Sequence, residues 1–496
     1  MRKLQITDAF FLATESRRQP MHVGGLNLFT FPEGVNETEF LHNISDQLKE
    51  DTDLRHPFGK RLKMGSLGQY GPIYWKQDKL LDMDYHIRHS ALPKPGRYLE
   101  MFKLVSRLHT TLLDRSRPLW EVHLIEGLQN RQFALYSKFH HCAIDGMGAM
   151  HLMNSMFTDD PKAQMPYSPF STMAHEAYKA QVHKQRRPRA EEQDIKQVSE
   201  ILKAQLDTTR NVAGALKRFA GVWSGSSGDL AVPWHRVPQT NINTPITGAR
   251  RFVAQSWPIE RIKAIGKAFD GTLNDAVLAI CSGALRRHLT EHRDLPEDPL
   301  LAMAPVSLRE EGDVDSANAI GFMTANLSTH IADPAKRFAS IQSSMQAAKD
   351  NLKGMSRKEV ELYTMVTQAP LMVLQLMRLA SKFPPYSTII SNVPGPREQR
   401  YWNGATLDGI YPASIPFDGM SLNITLVSNY RNLDFGITAC RHSVPQVQRL
   451  IDYLDQSITE LEDAAGISST PTKKRAQRNK APSAGATKTA EACYTS

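Results

Sequence analysis

The feature that most constrains the fold of this chain is a change of hydrophobic period within residues 131–157. Residues 131–141, RQFALYSKFHH, alternate between two faces as a β-strand does, whereas the methionines after Asp145 recur at helical spacing. Another alternating run, at 117–128, is joined to this strand by a short turn, so the two are predicted to form a hairpin of half-buried strands. The sequence therefore predicts two paired strands and then a helix, with the junction HHCAIDG between them.

Two adjacent histidines, His140 and His141, end the second strand of this hairpin. Successive side chains of a strand point to opposite faces, so His141 is expected on the apolar face of Leu135 and Phe139, and His140 on the other face. A histidine held where a strand gives way to a helix can accept a proton near neutral pH, as a general base must. A purely structural histidine is the alternative at this point.

The residues after the histidines also allow more than one role. Asp145 is expected to cap the new helix or to pair with a buried cation, and Gly146 and Gly148 would let another element or a substrate approach the backbone closely. A zinc site would need a third protein ligand, which neither an HExxH motif nor a cysteine set supplies, so no metal is expected. Cys142 points away from its histidine neighbours on an extended strand, and we expect it to fill space rather than to act as a nucleophile.

The rest of the chain favours two mixed α/β domains, because 496 residues are too many for a single core. Helices are predicted at about 190–222 and at 271–289, a buried strand at 386–396 and a hairpin at 421–440. We expect an N-terminal domain over 1–170, a connector over 171–245, a C-terminal domain over 246–465 and a disordered basic tail over 466–496.

Charge and cysteine usage bear on partners and location. The net charge is +9; the last 26 residues hold six Lys or Arg and one Glu, and a second basic cluster, HKQRRPR, lies at 183–189. These clusters predict attraction to an anionic membrane or lipid-droplet surface, with a solvated linker and tail as the alternative. No nucleic-acid-binding module is recognisable, so nucleic acid is not expected as a partner. Four scattered cysteines and the lack of a ~20-residue apolar span favour a cytoplasmic protein, at most peripheral to a membrane.

The junction HHCAIDG resembles the HHxxxDG signature of the CoA-dependent acyltransferase superfamily, which includes chloramphenicol acetyltransferase and peptide-synthetase condensation domains. Further segments resemble, in order, the blocks of the bacterial wax ester synthase/acyl-CoA:diacylglycerol acyltransferase family. These segments are TDAFFL (7–12), PMHVGGL (20–26), MDYHIRHSALPKPG (83–96), RPLWEVHLIEGL (117–128), LNDAVLAICSGALRRHL (273–289), MAPVSLR (303–309) and SNVPGP (391–396).

The resemblance implies an α/β fold of two chloramphenicol-acetyltransferase-like mixed-sheet domains, joined by a long helical connector, with an active-site tunnel between them. It implies that His141 is the general base and that His140 and Asp145 complete the catalytic motif, with Gly146 beside the substrate. Asn274 becomes a candidate contact to the oxyanion, with a helix N-cap as its alternative role. Structural support is expected from Pro118, Trp120 and Asp275.

The activity implied by the resemblance is transfer of a fatty acyl group from acyl-CoA to a long-chain fatty alcohol or a diacylglycerol, with no covalent intermediate and no cofactor. The alternatives are an acyltransferase that uses a carrier-bound donor and a non-catalytic lipid-surface protein. The Leu- and Met-rich stretch 360–383 is expected to be a core helix or to line an acyl channel. Plant relatives carry DFGWG where this chain has DFGIT, so we assign Asp434 no catalytic role.

Overall fold

A computed structural model of the protein describes residues 2–51, 53–65, 68–185, 198–225, 228–307 and 320–467. The strands in this part are β1 (Arg2–Lys3), β2 (His22–Thr30), β3 (Lys60–Gly65), β4 (Gly68–Gln77), β5 (Ile87–Ala91), β6 (Trp120–Glu126), β7 (Gln132–His140), β8 (Arg250–Pro258), β9 (Leu301–Ser307), β10 (Ile320–Asn326), β11 (Thr388–Val393), β12 (Tyr401–Trp402), β13 (Ala405–Ala413), β14 (Leu422–Asn429) and β15 (Asn432–Cys440). The helices are α1 (Ile6–Thr14), α2 (Glu37–Glu50), α3 (Met83–His86), α4 (Tyr98–Thr110), α5 (Gly146–Asn154), α6 (Thr172–Gln185), α7 (Val198–Trp223), α8 (Ile259–Ala268), α9 (Leu273–Glu291), α10 (Pro334–Leu352), α11 (Arg357–Leu376) and α12 (Arg449–Ala464), with a 3-10 turn at Asn241–Asn243.

The first large sheet carries the histidine junction. Its strand order is β12-β13-β2-β7-β6-β5, and β6 and β7 pair antiparallel as the predicted hairpin. The prediction that the strand at 117–128 is half-buried is wrong, because β6 is buried on both faces, as β7 is too. Both faces can be buried because the polar residues pair inside: Glu121 of β6 and Lys138 of β7 form a buried ion pair, and Lys138 also donates to two helix-end carbonyls.

The second large sheet has the order β10-β9-β11-β14-β15-β8. β11 lies parallel to both of its neighbours, while the remaining pairs are antiparallel, so this sheet is also mixed. Helices α8, α9, α10 and α12 pack together beside it. α9 is buried over its whole central part, which confirms the predicted helix at 271–289; the hairpin predicted at 421–440 is β14 and β15.

The two sheets are joined by β13, which hydrogen-bonds in the first sheet and crosses β15 of the second. A Cβ on Gly436 would collide with the carbonyl oxygen of Pro412, so only glycine lets the two backbones approach this closely. The neighbouring Asp434 accepts hydrogen bonds from the Ile410 backbone (2.7 Å) and from Asn429 (3.1 Å), and burial raises its pKa to about 7. The DFG residues of this chain therefore lie at the join between the sheets.

Chain order and spatial order differ at this join. Strands β12 and β13 come from the segment assigned to the C-terminal domain, yet they complete the sheet that begins near the N-terminus. The predicted domain boundaries and the tunnel between the domains stay predictions.

Residues 468–496, which hold most of the predicted basic tail, lie outside the described residues, as do residues 186–189 of the second basic cluster. The predicted connector helix is α7, and it is preceded by α6, which the sequence interpretation missed.

Helix α11 covers most of the Leu- and Met-rich stretch, and the core-helix interpretation holds only for part of it, since Val360 and Tyr363 are buried while other large apolar residues are exposed. The inward side of the helix also carries polar residues such as Thr367, Gln368 and Gln375. The inner polar groups are bonded in place: Gln368 donates to the Tyr386 hydroxyl (2.8 Å) and Gln375 to the Asp418 carbonyl (3.1 Å). In the described part of the chain, no helix is long and apolar enough to cross a membrane.

Candidate active site

The histidine junction begins where β7 ends, at His140. The His141 backbone N–H donates to the Met21 carbonyl oxygen (2.9 Å), which ties the junction to the start of β2. His141 itself lies in the turn that the Ala143 N–H closes on the His140 carbonyl oxygen (2.9 Å), one residue beyond the end of the strand, which the expectation took to include His141. Its place on the apolar face of Phe139 therefore stays a prediction. His140, the last residue of the strand, is the fully buried histidine, and His141 is partly exposed.

His140 contacts an ion pair formed by Glu15 and Arg115. Its Nδ1 accepts a hydrogen bond from the Cys142 backbone N–H (3.1 Å), so in the neutral ring the proton is on Nε2. Nε2 lies 3.3 Å from Glu15 Oε1, and Arg115 donates to the other oxygen of Glu15 at 2.8 and 3.0 Å. Burial by itself would raise the pKa of Glu15, but the contacts with His140 and Arg115 outweigh this effect and lower the pKa to about 2. The carboxylate is therefore charged at neutral pH.

His141 lies under the ring of Phe11 from helix α1. The two rings are stacked with centroids 4.1 Å apart and an interplanar angle of 7°. Burial lowers the pKa of His141 to about 4, although the charge of Asp145 acts in the opposite direction. The imidazole is therefore uncharged at neutral pH, which is the form that can accept a proton.

Asp145 is the N-cap of α5, as predicted: its Oδ1 accepts from the Gly148 backbone N–H at 2.7 Å. A Cβ on Gly148 would lie 2.8 Å from the Ile144 side chain, so this glycine allows the tight cap. A Cβ on Gly146 would meet nothing within 4 Å, which leaves open space beside the first residue of the helix. The role of Gly146 in substrate binding stays a prediction.

Cys142 is buried beside the histidines, in a cluster with Leu113 and Leu119. Burial raises the pKa of its thiol well above the usual value, and the charges of Asp8 and Glu15 add to the effect. A thiol that resists ionisation is a poor nucleophile. This environment agrees with a space-filling role.

The Pro118–Trp120 block lies at the start of β6, directly beside the end of β7. Trp120 is opposite Phe139 in the strand register, and its indole N–H donates to the Phe58 carbonyl (2.9 Å). The ring stacks on His86 (4.4 Å) and on Phe170 (4.5 Å). The block thus packs under the histidine strand, and its supporting role stays a prediction.

Asn274 lies in the first turn of α9, but Thr272 is the N-cap of that helix. The cap interpretation of Asn274 is therefore wrong. Asp275 instead forms a capping box with Thr272, whose hydroxyl and backbone N–H donate to it at 2.7 and 2.9 Å. Among the described residues, no hydrogen bond links Asn274 to the histidine junction, and its contact with an oxyanion stays a prediction.

A cavity of about 630 Å³ borders the junction on the side of Cys142 and Asp145. Its wall includes the cations Arg2, Lys3 and Lys60 as well as several acids. Burial lowers the pKa of His56 in this wall to about 4, and the charges of Lys60 and Arg2 add to the effect. The wall as a whole is mixed in charge, since Arg2, Lys3, Arg55 and Lys60 line it together with Asp8, Asp53, Asp145 and Glu176.

Sequence reasoning missed three residues that position the histidines: Phe11, Glu15 and Arg115. The TDAFFL segment did contribute to the resemblance, but nothing in its pattern placed Phe11 on His141. Glu15 and Arg115 are 100 residues apart in the chain and meet only through the fold. Buried charges leave no periodic signal, so a single sequence could not pair them.

Comparisons with known proteins show which family the chain resembles over most of its length. A family model for the wax ester synthase/diacylglycerol acyltransferase catalytic domain matches residues 4–277, and the model for the C-terminal domain of the same family matches residues 316–462. A Mycobacterium tuberculosis protein named as a probable diacylglycerol O-acyltransferase is 40% identical over 465 residues, which are 93% of this chain and 98% of that protein. The O-acyltransferase WSD of Acinetobacter baylyi is 37% identical over 463 residues, 93% of this chain and 97% of that one.

Solved structures show the same relationship. The wax ester synthase/diacylglycerol acyltransferase of Marinobacter aquaeolei VT8 superposes with a TM-score of 0.74 at 38% identity, over 94% of this chain and all of that one. The first condensation domain of the calcium-dependent antibiotic synthetase matches with a TM-score of 0.54 at 15% identity, over 93% and 97% of the two chains, and so shares the fold alone. The two-sheet fold that the resemblance implied is thus confirmed, and the chain belongs to the wax ester synthase/diacylglycerol acyltransferase family.

Proposed function

We propose that this protein is an O-acyltransferase that moves a fatty acyl group from acyl-CoA to a hydroxyl group. The acceptor is a long-chain alcohol, which gives a wax ester, or a diacylglycerol, which gives a triacylglycerol. The Mycobacterium relative is named for diacylglycerol as acceptor, and the Marinobacter structure is named for both activities.

The observation that carries the proposal is the state of His141. Its imidazole is uncharged at neutral pH and partly exposed. The Phe11 ring stacks on this imidazole, and the His141 backbone N–H is bonded to the Met21 carbonyl oxygen. A fixed, neutral imidazole can accept a proton from a hydroxyl group, and general-base catalysis contributes roughly 10²–10⁴-fold to rates of this kind.

The proposed reaction is a single displacement. His141 takes the proton of the acceptor hydroxyl as its oxygen attacks the thioester carbonyl, and a tetrahedral oxyanion forms. The intermediate collapses, the C–S bond breaks, and the CoA thiolate takes the proton back from His141. Asn274 is the proposed oxyanion donor, and one such donor typically contributes a further ~10²–10³-fold.

Apolar residues surround Phe11 and reach from His141 towards helix α11. Phe11 and Phe417 pack on a cluster of Met21, Val23 and Ile415. Phe417 also belongs with Leu371 of α11 to a neighbouring cluster around Tyr386. This continuous apolar region supports an alkyl-chain substrate at His141.

The basic side chains in the cavity beside the junction are the proposed site of the second substrate's phosphate groups. The cations Arg2, Lys3 and Lys60 in the cavity wall suit the phosphate groups of CoA, and we place those groups there as part of the proposal. Replacing Lys60 with Ala is then expected to raise the KM for acyl-CoA with little change in kcat. An unchanged KM would remove the CoA phosphates from this cavity.

The proposed chemistry uses no metal or organic cofactor. Within the described residues, no group of three or more His, Cys, Asp or Glu side chains is placed to hold a metal ion.

We also propose that the protein works at an anionic membrane or lipid-inclusion surface, where its lipid substrates are concentrated. The predicted basic tail supports that location by its charge.

The test is release of free CoA thiol from palmitoyl-CoA with hexadecanol or a diacylglycerol as acceptor, together with detection of the ester. We expect His141→Ala to reduce turnover by about 10²–10⁴-fold. The control His89→Ala changes a partly exposed histidine on β5 and should retain activity. Transfer only from a carrier-bound donor would favour the condensation-type alternative, and lipid binding without any transfer would favour a non-catalytic role.

A further inference from the structure

Helix α11 exposes an apolar face that the proposed chemistry does not use. Seven of the fourteen large hydrophobic side chains that are exposed in the described part of the chain lie between residues 362 and 383. Six of them form what we call the outer face of α11, each 46% to 61% exposed: Leu362, Met365, Val366, Val373, Leu376 and Met377. At 100° per residue these six positions fall within an arc of roughly 120°.

The orientation of this helix is fixed from the inside. The opposite side of α11 is mixed: it buries Val360 and Tyr363, and it is bonded into the protein through Gln368 and Gln375. The helix cannot rotate its exposed apolar residues inward without breaking those bonds. Contiguous exposed apolar surface on a folded chain marks an interaction site. The outer face of α11 therefore needs an apolar partner.

The charges around the outer face indicate the partner's chemistry. Lys358 near the start of α11, and Arg378 and Lys382 just after its end, are exposed. The acid Glu361 is paired with Arg357 at 2.9 Å. An apolar face with cations at both ends matches a lipid surface with anionic headgroups, into which such helices bury their apolar side.

Other occupants fit this face less well. Pairing with α11 of a second copy would bring the same apolar residues together but would also set like-charged ends near one another. The longer stretches outside the described residues, 186–197, 308–319 and 468–496, are dominated by charged and small polar residues. None of these sequences offers an apolar surface to cover the helix.

We infer that the outer face of α11 is the surface by which this protein binds anionic lipid surfaces, with its apolar residues in the acyl region and the flanking cations at the headgroups. The inference rests on the proposed function in one respect, the lipid nature of the substrates. It adds a route for them: α11 packs on α1, and α1 carries the Phe11 that covers His141. An acceptor dissolved in the lipid would thus enter next to the apolar region that leads to the catalytic histidine.

The test is binding of the full-length protein to vesicles of phosphatidylcholine, with and without 30% phosphatidylglycerol. The variant V373E/L376E places two charges on the outer face, and we expect its affinity for the anionic vesicles to fall at least about tenfold. The matched control L80E/L99E changes two exposed leucines elsewhere and should bind like the wild type. The variant R378Q/K382Q should lose the preference for anionic over neutral vesicles.

Three outcomes would overturn the inference: no vesicle binding by the wild type, equal binding by V373E/L376E, or a wild-type dimer that this variant converts to a monomer. Melting temperatures confirm that each variant is folded. Transfer from octanoyl-CoA to a water-soluble alcohol without vesicles tests the proposed function separately. We expect V373E/L376E to keep that activity and to lose transfer to vesicle-borne diacylglycerol, so a failure of docking and a failure of catalysis give different results.

Discussion

Glu15 Oε1 lies 3.3 Å from Nε2 of His140, and this contact links the end of helix α1 to the histidine junction. His140 in turn accepts the backbone N–H of Cys142, so the carboxylate is connected through His140 to the turn that carries His141. We therefore expect Glu15 to be a positioning residue that acts on the proposed reaction through His140.

We expect Glu15→Gln to lower kcat up to about 10²-fold while the KM for acyl-CoA changes little, because a small displacement of the base slows proton transfer without removing a substrate contact. Steady-state kinetics measure this split. The matched control is Glu121→Gln, which removes another buried carboxylate, one paired with Lys138. If both variants lose melting temperature and kcat equally, Glu15 has only a general structural role.

The lowered pKa of His141 predicts an unusual pH profile. With a pKa of about 4 the imidazole stays unprotonated down to pH 5, so kcat/KM should remain flat from about pH 8 to 5 and fall only below that. The same shift reduces stability in acid, because the unfolded chain takes up this proton below about pH 6.5 and the folded one does not. Initial rates over pH 4–9 test the profile, and an acid limb near 6.5 would contradict it.

Phe11 should help to set that pKa. Its ring covers the imidazole at 4.1 Å, so Phe11→Leu should admit water and move the acid limb of kcat/KM upward, towards the ordinary histidine value. Phe10→Leu is the control, since Phe10 contacts Phe11 edge-on at 5.6 Å. An acid limb that stays in place in Phe11→Leu would mean that the stacked ring does not provide the desolvation.

The two roles of Asp145 can be separated by substitution. Asparagine caps helices as well as aspartate does, so Asp145→Asn should retain stability but lose the negative charge that favours protonated His141 during turnover. Asp145→Ala should lose the charge and also about 1 kcal/mol of stability. Asp333→Ala removes a similar N-cap on α10 and serves as the control for cap loss alone. Full activity in Asp145→Asn would leave Asp145 as a cap only.

Gly436 should tolerate no side chain. A Cβ there collides with the Pro412 carbonyl oxygen. Gly436 is in β15 and Pro412 in β13, and each strand is hydrogen-bonded within its own sheet, so the two strands cannot move apart freely. Gly436→Ala is therefore expected to destabilise the fold by about 1–3 kcal/mol. Gly25→Ala in β2 is the control, since a Cβ there meets nothing within 4 Å. Thermal denaturation compares the two, and equal melting temperatures would show that the join between the sheets can relax.

Short-range patterns in the sequence determined much of the local structure. The change from period 2 to period 3.6 predicted the hairpin, the turn and helix α5, because each depends on neighbours within a few residues. Asp145 was predicted as a cap for the same reason, since capping is set by the residue and the three that follow it. The family, and with it the proposal that His141 is the general base, came from motifs in the residues themselves.

Tertiary structure alone decided what surrounds those residues. Strand alternation assumed that β7 includes His141, yet β7 ends at His140, where the Ala143 backbone N–H bonds to the His140 carbonyl oxygen (2.9 Å) and closes a turn. Glu15 reaches Arg115 and His140 across a hundred or more residues, and nothing in the local pattern of a chain encodes which distant charge will be its partner. Helix α11 was expected to be a core helix or to line an acyl channel; the fold buries Val360 and Tyr363 and supplies a polar partner for Gln368 on the inner side, so much of its apolar surface stays exposed.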